Sequence, residues 1–331
     1  MTAANLPALL QRFFTDRLLS QLGASPHTVA SYRDAFRLLL VFASARLGQA
    51  PSQLRVEDLD AALLGAFLDY LEHGRANSPR TRNTRLAALR AFFRFVAYAE
   101  PACSLQCQRI LAIPTKRHER RSVDFLTEEE TTALVAAPDP ATWIGRRDRT
   151  LLLVAVQTGL RNAEIRSLRR RDVEFGVGAH VRCSGKGRKM RCTPLRRDVA
   201  TALEAWLAER SGVPGDPVFP SSRGGVLSAD ALQRLVARHV AAASATCSSL
   251  AGRSITPHTL RHTTAMTLLH RGVDQTVIAL WLGHESVETT QIYLHADMRL
   301  KERALAHADP SGTAPARFRP KDHLLAFLES L

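Results

Sequence analysis

Long apolar runs are missing from this 331-residue chain: no stretch of 18 apolar residues occurs, and the N-terminus lacks the basic-then-apolar pattern of an export signal. The expectation is a cytoplasmic protein. Cysteine is sparse, with five residues at positions 103, 107, 183, 192 and 247. Their odd number and scattered spacing suggest neither a disulfide framework nor a zinc knuckle. Lysine is scarce before Lys116, so the positive charge is carried mostly by arginine, whose guanidinium suits bidentate phosphate contacts. A Gly-x4-Gly-Lys-Ser/Thr nucleotide loop is absent, as is the central glutamate of a His-Glu-x-x-His zinc motif, and no cofactor is implied.

What the chain does contain is basic charge on a globular composition. Lys and Arg number 45 against 31 Asp and Glu, giving a net +14, with 45% hydrophobic residues. Length and composition allow two ordinary domains with sizeable cores. The excess charge points to a polyanion such as nucleic acid, although an Ala- and Arg-rich sequence also arises from a GC-rich genome.

Residues 7 to 100 read as successive helices. Ser25-Pro26 is an N-cap followed by proline at the first helical position, and Val29, Tyr32, Phe36, Leu39 and Leu40 then recur at helical spacing. Ser78-Pro79 repeats that opening before Leu86, Leu89, Phe93 and Val96. Arg33 and Arg37 on the first helix, and Arg80, Arg82, Arg85 and Arg90 on the second, lie largely off the apolar stripes. Two accounts fit these arginines: a solvated face, or a helix pair lying against DNA.

A basic stretch without apolar period, from Ile113 to Ser122, reads as an interdomain linker, and Thr127 with Glu130 reads as a capping box that starts the next helix. An apolar helix over 150–158 should end at Gly159. Strand-like pieces at 173–175, 180–183 and 190–195 predict a small antiparallel sheet, with 184–189 turning between the last two. Helices then resume. Thr256-Pro257 opens one that carries His258, Arg261 and His262 on one face, where free N–H groups favour a phosphate. Asp274 caps another ending at Gly283, and Tyr293 falls in a final short helix capped by Ser286. Beyond a tail poor in apolar residues, 321–331 carries a stripe of Leu324, Leu325, Phe327, Leu328 and Leu331, a helix that needs a groove on its own chain or on a neighbour's.

Singly, Arg161 reads as a surface arginine, Lys186 as a solvated hairpin lysine, His258 and His262 as capping or core histidines, and Tyr293 as a core anchor. Their order and spacing say more. Thr158-Gly-Leu-Arg161-x-x-Glu164, Gly185-Lys186-Gly187-x-Lys189, His258-x-Leu-Arg261-His262-Thr, Leu282-Gly283-His284 and Thr289-Thr290-x-Ile292-Tyr293-x-His295 together resemble the tyrosine recombinase (phage integrase) family.

That resemblance implies a mainly α fold with a small antiparallel β-sheet. It further implies a helical core-binding domain over 1–108, a basic linker over 109–122, a catalytic domain over 123–305 and a tail with a docking helix over 306–331. The two domains would form a clamp around duplex DNA. It makes Tyr293 the nucleophile, leaving a 3′-phosphotyrosyl bond and a free 5′-hydroxyl. Arg161 and Arg261 would grip the non-bridging oxygens, Lys186 (with Lys189 in reserve) would protonate the leaving oxygen, His258 would move the tyrosine proton, and His284 would seat the phosphate. Glu164 is assigned to support. Arg33, Arg37, Arg80, Arg82 and Arg85 are the candidate DNA contacts. The partners implied are duplex half-sites and a homotetramer, or a heterotetramer with a related recombinase, on two DNA sites. Neither metal nor ATP enters this chemistry. A mobile-element integrase is the favoured role, the tail being longer than a minimal recombinase requires. Chromosome dimer resolution, a type IB topoisomerase-like activity and a non-catalytic DNA-binding protein are the rivals.

Overall fold

The computed structural model describes residues 5–117, 123–185, 190–209 and 211–283. The chain divides into two compact units, Met1–Arg120 and Arg121–Leu331.

The first unit is all helical. Helix α1 (Leu6–Arg12) runs on through wider turns over Phe13–Gln21. It is followed by α2 (Pro26–Leu47), α3 (Ala61–Asp69), α4 (Pro79–Ala99) and α5 (Ser104–Leu111). Both predicted serine caps are present: Ser25 accepts from the Thr28 amide and Ser78 from the Thr81 amide. The stripes of α1, α2 and α4 meet in an aromatic cluster in which the Phe92 ring lies 5.4 Å from Phe13 and 5.1 Å from Phe36. Each such buried phenylalanine contributes about 1.5–3 kcal/mol. Helix α5 ends at Leu111 with Ile110 fully buried in this core. The residues expected to open the linker at 109 are therefore part of the helical unit.

The second unit is built around α7 (Trp143–Thr158), which packs against α6 (Glu128–Ala136), α9 (Arg197–Ala208) and α11 (Pro257–His270). The short α8 (Asn162–Ser167) precedes the sheet. Strands β1 (Val173–Glu174), β2 (His180–Ser184) and β3 (Met190–Pro194) are antiparallel in the order β1-β2-β3, with Cys183 opposite Arg191. Helix α10 (Ala229–Ala243) and α12 (Gln275–Leu282) complete the described part. The capping box at Thr127 and Glu130 forms as read. Helix α7, however, starts at Trp143, about two turns earlier than its apolar run. Two of the charged residues of those turns are internal: Arg147 and Asp148 are buried, and the Asp148 carboxylate accepts from Arg147, Arg238 and His239.

Candidate active site

Two glycine helix ends define the site. Helix α7 stops at Gly159 and α12 at Gly283, both left-handed with φ 63°. A Cβ at 159 would stand 2.6 Å from Leu282 Cδ2, and one at 283 would stand 2.9 Å from Arg191 Nη1, so a larger residue at either position would also have to displace a neighbouring side chain.

Helix C-termini leave carbonyls without intrahelical donors, and here two arginines supply them. Arg261, only 2% exposed on the second turn of α11, donates through Nη1 to the Gly159 carbonyl and through Nη2 to the Leu282 carbonyl, each at 2.7 Å. Arg161, the N-cap residue of α8, donates through Nη2 to the Gly283 carbonyl at 2.8 Å. Its side chain remains 31% exposed. Two guanidinium groups from separate helix starts therefore converge on the 282–283 turn. His284 is the next residue in sequence.

Glu164 underlies Arg161. Its carboxylate takes the Arg161 backbone N–H at 2.7 Å and Arg161 Nη1 at 2.9 Å. Arg191 of β3 then closes on both of its oxygens, at 2.8 and 2.7 Å. Burial would raise this carboxyl, but hydrogen bonds from Arg191 and the Arg161 backbone outweigh that and hold it at about 2. Arg191 was not singled out in the sequence. The available signal was strand alternation, because Thr193 and Arg191 share one face of β3 and an inward arginine requires a buried acid.

His258 is exposed in the first turn of α11, and its ring centroid lies 4.3 Å from that of His262. Burial, then the neighbouring His258 and Arg261, push His262 down to about 4, so it is neutral at pH 7. Lys186, Lys189, His284 and Tyr293 lie outside the described residues.

Protons bind the unfolded chain first at both perturbed groups, because His262 falls from 6.5 to about 4 and Glu164 from 4.5 to about 2. Stability should be full above pH 6.5 and decline on acidification, with the His262 share lost between pH 6.5 and 4 and the Glu164 share between pH 4.5 and 2. After discounting for solvent, the His262 share is about 1–2 kcal/mol. Thermal melts from pH 7 to 4 should show the fall, and His262→Gln should flatten it.

The arginines expected at DNA separate into two kinds. Arg33 and Arg37 on α2 and Arg80 on α4 are exposed, Arg33 lying 3.0 Å from its neighbour Asp34. Arg85 is half-buried with Nη1 unpartnered, and burial and the adjacent Arg75 press its guanidinium below the usual arginine value. Arg82 must be reassigned. It is 5% exposed, donates to the Pro114 carbonyl at 3.2 Å and sits 3.5 Å from the Glu72 carboxylate. Arg90 likewise donates to the Ile113 carbonyl. These two side chains hold residues 113–114 against α4.

Two family descriptions cover this arrangement: residues 124–299 match the phage integrase family and residues 10–100 match its N-terminal SAM-like domain. The chain belongs to the phage integrase family. Over 99% of both chains it is 54% identical to a protein of Sinorhizobium fredii named as an integrase/recombinase, y4rC. It is 32% identical to the tyrosine recombinase XerC of Pelobacter propionicus over 92% of this chain and 96% of that one. Among solved structures, XerH recombinase in a post-cleavage complex with palindromic difH substrate superimposes with a TM-score of 0.67 at 24% identity, covering 87% of this chain and 82% of that one. A lambda integrase tetramer bound to a Holliday junction gives 0.62 at 20% identity, covering 88% and 78%. The two-part, mostly helical fold with a small antiparallel sheet is thus that of the DNA-bound tyrosine recombinases.

Proposed function

We propose that this integrase-family chain is a site-specific recombinase in which Tyr293 attacks the scissile phosphate, forming a 3′-phosphotyrosyl bond as the bond to the 5′-oxygen breaks. The observation that carries the residue assignment is the anchoring of Arg161 and Arg261 on one turn, immediately before His284. Two such cations can neutralise the non-bridging oxygens as charge grows in the pentacoordinate transition state. Lys186 gives its proton to the departing 5′-oxygen, His258 takes the phenol proton, and His284 hydrogen-bonds the phosphate. A phenol with a pKa near 10 needs that assistance at neutral pH. The tyrosyl ester retains the energy of the broken bond, so an incoming 5′-hydroxyl can reseal the strand without ATP or a metal.

The helical unit supplies half-site contacts in this reading, with Arg33, Arg37, Arg80 and Arg85 on phosphates and groove edges. Arg80→Ala should weaken half-site binding and reduce its salt dependence without changing stability. Arg82→Ala should instead destabilise the fold by about 1–3 kcal/mol, since the Pro114 carbonyl loses its donor and Glu72 loses one cationic neighbour while keeping another, Lys116. Denaturant titrations alongside filter binding separate the two.

Four copies on two DNA sites would complete the reaction in the bacterial cytoplasm. In the catalytic unit, a groove of about 960 Å³ lined by Phe125, Leu153, Val156, Leu268 and Trp281 is apolar, with arginines 149, 196 and 271 around it. Trp281 Nε1 is buried without a hydrogen-bond partner among the described residues. We assign this groove to residues 321–331 of a neighbouring copy, whose leucine stripe and acidic Asp322 and Glu329 complement it. Deleting 321–331 should spare binding to one site and impair pairing of two sites; unchanged recombination would count against the assignment. The integrase/recombinase relative at 54% identity, against 32% for XerC, favours a mobile-element role over chromosome dimer resolution.

A duplex nicked close to the cleavage point, carrying a half-site selected by binding from a randomised pool, tests the reaction. The unaltered protein should be trapped as a covalent adduct. Specific binding without an adduct would refute the enzymatic reading, while relaxed plasmid without recombinant products would indicate a topoisomerase.

A further inference from the structure

We propose that Arg191 is a positioning residue for strand cleavage: it neutralises Glu164, so that Arg161 keeps its positive charge for the scissile phosphate. The inference deepens the recombinase reading and rests on it.

The geometry presents an electrostatic problem that Arg191 solves. Glu164 is needed to fix Arg161, since it holds both the backbone N–H and Nη1 of that residue. A carboxylate this close would also cancel the charge that Arg161 must offer to a phosphate. Arg191 meets the same carboxylate with both terminal nitrogens, its side chain 11% exposed and that of Glu164 3%. The three side chains sum to a net +1, and Arg161 is the most exposed of them. Cys183, opposite Arg191 on β2, adds no charge because burial raises its thiol to about 11.

Arg191 also touches the site from two other directions. It stands on strand β3, five residues beyond Lys186 in sequence. Its guanidinium lies directly beneath Gly283, where a Cβ would meet Nη1, Cδ and Cζ at 2.9–3.2 Å. Gly283, which precedes His284 in sequence, therefore packs directly on the Arg191 side chain.

The test is single-turnover cleavage of the selected nicked duplex, run below the melting range of each variant, together with half-site affinity. Arg191→Ala should slow cleavage on the order of 10–100-fold while changing Kd by less than about threefold. Arg191→Lys, which restores the charge, should recover most of the rate. The deciding substrate carries a methylphosphonate in place of the scissile phosphate, which removes one negative charge: on it the Arg191→Ala deficit should shrink. A deficit equal on both substrates, cleavage at the unaltered rate, or parallel loss of binding and cleavage would overturn the proposal. Failure of the unaltered protein to form any adduct would remove the recombinase reading, and this inference with it.

Discussion

Tyr293→Phe should eliminate the covalent protein–DNA adduct while leaving half-site affinity within about threefold, because the change deletes one oxygen atom and no recognition surface. The size of the effect follows from the role. Removing the nucleophile of a covalent enzyme can lower kcat on the order of 10⁶-fold, beyond the range of a gel-based adduct assay. Arg161→Ala and Lys186→Ala remove assistance to the same step and should leave traces of adduct, each costing about 10²–10³-fold. The contrast between abolition and reduction is what identifies the attacking atom. Adduct persisting in Tyr293→Phe would place the nucleophile elsewhere. Its disappearance together with DNA binding would show that the phenol hydroxyl holds the site together, and that its loss removes more than the nucleophile.

Much of the fold and half of the site could be read from local chemistry. Serine, threonine and aspartate caps, first-turn prolines and C-terminal glycines act within four residues of themselves, so Ser25, Ser78, Thr127, Thr256, Asp274, Gly159 and Gly283 marked helix ends that the structure contains. The features that escaped depend on contacts between distant parts of the chain. Helical periodicity placed Arg82 off the apolar stripe, but the partner that draws it inward, the Pro114 carbonyl, lies 32 residues away. The first turns of α7 read as polar because their charges are visible in sequence, whereas the pairing of Asp148 with Arg238 and His239, 90 and 91 residues on, is not. Arg191 was hidden for the same reason. Its meaning comes from Glu164, 27 residues earlier, and from a glycine whose turn returns much later in the chain. The spacing of the motif nominates the residues proposed to act; the packing shows what holds Arg161 and Arg261 in place.

Arg261→Lys should behave almost as badly as Arg261→Ala, although the charge is kept. The guanidinium spans two carbonyls from different helix ends, Gly159 and Leu282, each at 2.7 Å, and it does so at 2% exposure. An ammonium is a point donor on a flexible stem and cannot reproduce a planar fork. One of the two buried carbonyls would lose its donor, at about 1–3 kcal/mol, and the turns leading to Arg161 and His284 would no longer be tied to each other. Loss of that alignment should lower cleavage by at least about 10²-fold, although the positive charge itself is retained. Arg161→Lys provides the comparison, since that side chain is partly exposed and answers to Glu164 and a single carbonyl; its melting temperature should change less. The expected pattern is a lower melting temperature and near-complete loss of cleavage for Arg261→Lys, against near-normal stability and a smaller rate defect for Arg161→Lys. Thermal melts paired with single-turnover cleavage read both. Equal stability of the two variants would mean that the carbonyl bridge contributes little, and that Arg261 acts through its charge alone.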